Sequence, residues 1–446
     1  MFRNNLIDLE SFSAGVNLGS RGFTRLSPRR IVNAESATVT RQVGWVFFGS
    51  IAGSGLGFIF WVFAARLFKP EEVGIAASLV SLSALATSIA TLGLDIGFVR
   101  FAPRVRQPVK LLRDLVAITG VAGAIVGGLL PLIILTLGHV DSGMLLPLVG
   151  ISIVLTVSQN WVQLMDGAIM AAQKSHILAY THLVYGGLKI AVLVTVVAGG
   201  AVGLFGAYSI PMLAVLAISF YVVPRLWPAA DRVEAPHPFR ELATLSAGNW
   251  ISGLAYSLPV RLGPALMLIF LDPASVAYFF IALQLAEVLN YVSEAFAKSM
   301  FAHGSREDRL TRSLIAHMRA LLAFILVPLI AVGILAAPFA LSVVGGSTYQ
   351  AHFLSLQLFL LATLPRSYYQ VLKAKFNVEQ RPMALIVSGG TLGVSTLAFL
   401  VIGLALHVDV DLLPVSWIAG GVLGLVVGHV VAGWRPHLRA SGVNVR

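Results

Sequence analysis

The sequence predicts an all-α polytopic membrane protein, twelve transmembrane helices in two six-helix lobes related by a parallel internal repeat. Three observations predict it. Of 446 residues, 57% are hydrophobic and 11% charged, against about 25% charged in a soluble domain, so most of the chain belongs in lipid. The apolar residues gather into long runs, most of them exceeding the roughly 20 residues an α-helix needs to cross a hydrocarbon core. Finally, the polar hinge Phe68-Lys69-Pro70-Glu71-Glu72-Val73-Gly74 returns about 203 residues later as Leu271-Asp272-Pro273-Ala274-Ser275-Val276-Ala277. A second echo, Ala172-Gln173-Lys174-Ser175 and Glu379-Gln380-Arg381-Pro382, is offset by about 207 residues, which marks two related halves.

The first two spans, Val43–Phe68 and Val73–Phe101, form a hairpin. Lys69, Glu71 and Glu72 cannot sit in hydrocarbon, and Pro70 opens a helix well because its missing N–H would be unpaired in a first turn. The turn therefore lies at a membrane surface. Spans at Leu115–Leu137, Met144–Ala172, Ile177–Ala198 and Val202–Val223 complete the first half. The second half is expected at Leu245–Leu271, Ala274–Phe301, Leu314–Ala337, Leu354–Val378, Leu385–Leu406 and Leu412–Ala432. Runs longer than a bilayer needs imply tilt or ends projecting into water. The lobes are thus expected over residues 41–223 and 241–434, joined by the proline-rich polar linker 224–240 and flanked by tails 1–40 and 435–446. The first tail lacks the apolar core of a signal peptide.

The net charge of +11 is distributed by side. Arg100, Arg104, Arg106, Lys174, Arg225, Arg306, Arg309, Arg312, Lys373 and Arg381 fall in or beside even-numbered connections, while odd-numbered connections hold only Arg66 and Lys69. By the positive-inside rule both termini are cytoplasmic, in a multi-pass protein of the cytoplasmic (plasma) membrane. The charge is then a topology signal, and no basic stripe with interleaved aromatics suggests nucleic acid. With no cysteine, disulfides and thiolate metal sites are excluded. The ten histidines show no His-x3-His spacing, and no phosphate-cradling Gly-x4-Gly-Lys-Ser/Thr loop is present. The sequence therefore predicts no enzyme and no resident cofactor or metal. Glycines at four-residue steps (Gly49, Gly53, Gly57; Gly123, Gly127; Gly420, Gly424, Gly428) predict close helix packing within each lobe.

Ala65-Arg66-Leu67-Phe68-Lys69-Pro70-Glu71-Glu72-Val73-Gly74, followed by Leu92-Gly93-Leu94-Asp95 and Arg100-Phe101, resembles the polysaccharide transporter family, the Wzx-like oligosaccharide-lipid flippases of the multidrug/oligosaccharidyl-lipid/polysaccharide exporter superfamily. Length, span number and repeat extend the resemblance over about residues 41–436. It implies a flippase that moves a polyprenyl-diphosphate-linked oligosaccharide to the outer leaflet by alternating access between two lobes. Its implied partners are that substrate, membrane lipids, and the polymerase or glycosyltransferases of the same envelope pathway. A multidrug exporter of the same superfamily shares the architecture, so fold alone does not separate the two. A scaffold or polymerase is a third reading, although a polymerase should carry a large outer loop that this chain lacks. The related lipid II flippases usually carry two additional helices, which this sequence does not place.

Intramembrane polar residues are costly and usually face a cavity or a partner. Arg261, between Pro259 and Pro264, lies 11 residues before Asp272, or roughly 16 Å along a helix, near the bilayer middle. It is expected either to bind the substrate diphosphate through its guanidinium fork or to pair with Glu287. Glu287, Asn290, Tyr291, Glu294 and Lys298 share one helix face. On that face Asn290 is a candidate substrate contact, and Glu287 and Glu294 are candidates for coupling H+ or Na+, unless Glu294 simply pairs with Lys298. Gln159, Gln163 and Asp166 correspond by the 207-residue offset to Arg366, Gln370 and Lys373. The matched stripes suit either a sugar-binding cavity between the lobes or hydrogen bonding between helices. Lys189 is expected to pair with Asp166, a further coupling candidate, or to add charge to the cavity. Asp95 is expected to pair with Arg100 or Arg104.

Overall fold

The computed structural model describes residues 28–102, 107–227, 238–307, 312–379 and 381–433. Most of the expected linker, the second tail and the first 27 residues lie outside them. Among the described residues there are thirteen α-helices: α1 (Pro28–Leu67), α2 (Pro70–Thr91), α3 (Leu94–Phe101), α4 (Pro108–Leu137), α5 (Ser142–Ala171), α6 (Ser175–Thr195), α7 (Gly200–Leu226), α8 (Pro238–Phe270), α9 (Pro273–Glu307), α10 (Arg312–Gln350), α11 (Phe353–Val378), α12 (Pro382–Ala405) and α13 (Val415–Gly433). The chain divides at Gly44. Residues up to it contribute the first turns of α1, which is helical from Pro28, inside the stretch 1–40 expected as a tail. Residues from Trp45 onward form the helical body described below.

Eleven helices among the described residues are long and apolar enough to cross a membrane. The expected tenth span, α11, falls short in apolarity because it carries Arg366, Lys373 and Lys375. Large apolar side chains such as Leu146, Phe324 and Leu335 stand almost fully exposed on the outer surface, an arrangement that only a lipid solvent tolerates over so wide an area. The second expected span is corrected. It breaks at Leu92 and Gly93, both in the left-handed region (φ 51° and 70°), so that α2 stops at Thr91 and α3 begins anew. No break interrupts its repeat counterpart α9.

The two halves pack alike. In the first, α5 lies against α4 and α7, and α6 against α7; in the second, α11 lies against α10 and α13, and α12 against α13. The glycine stripes explain how closely. A Cβ on Gly123 would stand 2.4 Å from Asn160, on Gly127 2.7 Å from Thr156, and on Gly420 2.0 Å from Thr396, so helix backbones meet where any side chain would hold them apart.

The halves join chiefly through α2, which packs against α8 and α9. Ser78 Oγ donates to the Pro264 carbonyl (3.0 Å), Arg261 Nη1 to the Ala84 carbonyl (2.7 Å) and Trp250 Nε1 to the Ser88 carbonyl (2.5 Å). Proline gives α8 its shape here. Pro259 cannot bond back to Ala255, and that freed carbonyl abuts Gly393, where a Cβ would stand 1.8 Å away.

The two repeated hinges cap their following helices by different chemistry. Glu72 reaches back to accept from the Lys69 amide (3.0 Å). Asp272 accepts from the Ser275 amide (3.0 Å) and hydroxyl (2.7 Å). Burial works against the Asp272 charge, but these hydrogen bonds outweigh it and hold the carboxyl below the ordinary carboxylate range. The hinges also meet: Gly74 lies against the Pro273 carbonyl, and Arg66, ending α1, donates to the Val343 carbonyl of α10.

Candidate functional site

Below this hinge contact a cavity of about 550 Å³ lies between the halves. The first half contributes Ser50, Ser54 and Trp61 of α1, Val80, Ser81 and Ala84 of α2, His182, Tyr185 and Lys189 of α6, and Tyr208 of α7. The second contributes Val260 and Arg261 of α8, and Phe280, Gln284, Val288 and Tyr291 of α9. Trp61 and Phe280 meet edge to face with centroids 4.7 Å apart, joining the two halves across the wall. Sequence makes room for the cavity at α1. Gly49 packs on Ala179, but Gly53 and Gly57, one and two turns on, line the open space. The stripe read as helix packing therefore serves packing at one end and the cavity at the other.

Two cations face this space. Arg261 uses one N–H on the Ala84 carbonyl across the seam, which leaves the rest of a five-donor fork. Its expected alternative partner is taken: Glu287 pairs with Arg366 at 2.5 Å, so the Arg261–Glu287 pairing is corrected. Lys189 is 3% exposed, with Nζ 4.9–5.4 Å from the ring centres of Tyr185, Tyr208 and Phe60. Such faces attract a cation without neutralising it. Its expected pairing with Asp166 is also corrected, because Asp166 faces His182, Oδ2 to Nε2 3.6 Å. Among the described residues no carboxylate lines the cavity.

The other expected contacts do not line it. Gln159 accepts from Thr87 Oγ1 (2.9 Å), Gln163 donates to Asp95 (3.1 Å) and Gln370 donates to the Tyr256 hydroxyl (3.1 Å). Arg366, 7% exposed, is occupied by Glu287. Each bond joins two helices of the same half, so the matched stripes of α5 and α11 fasten each lobe internally. Asn290 is buried with its amide nitrogen unpartnered, away from the cavity lining. Glu294 is half-buried on the same helix, and the Lys298 side chain lies outside the described residues, as do those of Arg100 and Arg104, the expected partners of Asp95. Sequence reasoning missed His182, Tyr185 and Tyr208. A signal existed for His182, which stands seven residues before Lys189 on one face of α6.

The family described as "Polysaccharide biosynthesis protein" matches residues 39–301, over half of the chain. Among solved structures, the chain is similar to the lipid II flippase MurJ in an inward closed conformation, with a TM-score of 0.70, 12% identity, and coverage of 87% of this chain and 88% of that one. It is also similar to an inward-facing multidrug resistance MATE family transporter of the MOP superfamily, with a TM-score of 0.63, 14% identity, and coverage of 87% and 94%. The MATE multidrug transporter DinF-BH gives a TM-score of 0.66, 13% identity, and coverage of 89% and 95%. No curated protein matches by sequence. At these identities the likenesses establish the fold, that of two six-helix lobes.

Proposed function

The chain belongs to the polysaccharide biosynthesis protein family, and from that premise we propose that it flips a polyprenyl-diphosphate-linked oligosaccharide across the cytoplasmic membrane for envelope polysaccharide synthesis. The observation that carries this reading is the cavity's charge. Arg261 from one lobe and Lys189 from the other face a space that no carboxylate among the described residues lines. A diphosphate suits a guanidinium, which bonds two oxygens at once, and an ammonium acting as a point charge. Ser50, Ser54, Ser81, Gln284 and the tyrosines Tyr185, Tyr208 and Tyr291 supply hydroxyls, amide and ring faces for a sugar. An exporter of cationic drugs shares the fold, but its substrate would meet repulsion here. The lobes, 41–223 and 241–434, would alternate access by parting at the hinge contact and closing at the opposite end. Both termini would face the cytoplasm. Cysteines placed at Glu71, Ser347 and Asp409 should then react with an impermeant maleimide in intact cells, and those at Gln107 and Ser305 should not.

Depletion of the protein in its own cell tests the function. A lipid-linked saccharide should accumulate on the cytoplasmic leaflet. Unchanged leaflet distribution, with export of organic cations impaired instead, would replace this reading by the drug exporter.

A further inference from the structure

Asp166 and His182 form a pair that diphosphate binding leaves unused. Asp166 stands near the end of α5 and His182 two turns into α6, with Nε2 3.6 Å from Oδ2. The other carboxylate oxygen, Oδ1, is buried without a hydrogen-bond partner. The His182 side chain is 35% exposed and lines the cavity. On its other side Gly53 lies against it, a Cβ there standing 3.5 Å from His182 Cβ. A ring able to hold a second proton is thus fixed between a carboxylate and the substrate space.

The surrounding charges give the effect of that proton a sign. From α5 the ring meets Asp166, and from α1 Gly53 lies against the side chain, while α1 contributes no charged or titratable residue to the cavity lining. On α6 itself Lys189 lies two turns farther along the same face, with Tyr208 of α7 beside it. Across the cavity α8 presents Arg261 and α9 presents Tyr291. Glu287, held by Arg366, and Glu294 lie on α9 outside the lining. One proton taken from cavity water onto the pair therefore adds a positive charge to a space whose described lining already holds two cations and no carboxylate. Nothing in that lining cancels it, but an anion would.

Resting on the diphosphate reading above, we infer that the His182–Asp166 pair takes up a proton cooperatively with the anionic substrate. Linkage makes the effect mutual: bound diphosphate favours the protonated pair, and the protonated pair tightens diphosphate. A cationic substrate in the same cavity would show the opposite sign, competing with the proton.

The test uses the purified full chain in lipid nanodiscs and a short-chain prenyl-diphosphate-N-acetylglucosamine, a diester whose two charges do not titrate in the range. Its affinity should tighten about fivefold or more, the low end of ordinary site-to-site coupling, between about pH 8 and pH 5.5, where imidazole titrates. A pH-indicator dye should record proton uptake as the probe binds near neutral pH. The His182→Gln variant should bind with a flat pH profile, and the Asp166→Asn variant with an altered one. If either variant fails to fold, proton uptake by the Lys189→Arg protein, whose remaining lining group that titrates in this range is His182, decides alone. Probe binding that is independent of pH, or that releases protons, overturns the inference while leaving the diphosphate reading intact. No probe binding at any pH overturns both.

Discussion

Gly74 of the first hinge and the Pro273 carbonyl of the second touch so closely that a Cβ on Gly74 would stand 1.7 Å from that oxygen. The two positions belong to the repeated motif itself, so the internal repeat meets its own copy where the lobes close. Because the neighbour at this contact is backbone, no rotamer change relieves a larger residue. Gly74→Ala should disfavour the closed arrangement by about 1–3 kcal/mol, the usual cost of overpacking, or roughly 5- to 150-fold in population. A cysteine at Ser81, inside the cavity, should then react faster with an impermeant maleimide from the hinge side. Unchanged reactivity would show that the contact opens at no cost.

The Arg366–Glu287 pair is the most buried ion pair described in the second lobe, at 2.5 Å with side chains 8% and 17% exposed. Removing one partner strands a charge. Arg366→Met should destabilise the protein by about 3–5 kcal/mol, and Arg366→Met with Glu287→Gln should regain most of it. Thermal unfolding in detergent measures both. An equally unstable double variant would mean that packing, rather than charge balance, is what Arg366 provides.

Gln163 and Gln370 bond to Asp95 and Tyr256 within their own lobes. Gln370→Leu should cost about 1 kcal/mol of stability, the net worth of an ordinary hydrogen bond, and Gln163→Leu up to about 1.5–3 kcal/mol, since its partner is a carboxylate; each should leave transport per folded molecule within about twofold. A much larger loss of transport in a fully folded variant would place these amides on the substrate path.

Repeat, span order and hinges were legible because each depends on local chemistry: long apolar runs, proline at a first turn, charges that lipid rejects. The break at Leu92-Gly93 was hidden because both flanks remain apolar, and only the backbone angles of two residues divide α2 from α3. The site was half legible. Arg261 stood out through its depth and its flanking prolines. Partner choice did not follow from depth along a helix: depth offered Arg261 to Glu287, and packing gives it Arg366 instead. For the same reason Lys189 turned to three aromatic rings and Asp166 to His182. Helical periodicity groups residues on a face, but which neighbour that face meets is set by packing of the whole bundle.

If Arg261 and Lys189 together hold a diphosphate, both are needed for flipping of a fluorescent polyprenyl-diphosphate saccharide by protein reconstituted in vesicles. Arg261→Gln and Lys189→Gln should each slow flipping about tenfold or more, as expected from losing a hydrogen bond to a charged group worth about 1.5–3 kcal/mol. Arg261→Lys should retain part of the activity, since a point charge replaces a fork. Near-normal flipping by the folded Arg261→Gln, Lys189→Gln double variant would mean that these two cations do not hold the substrate.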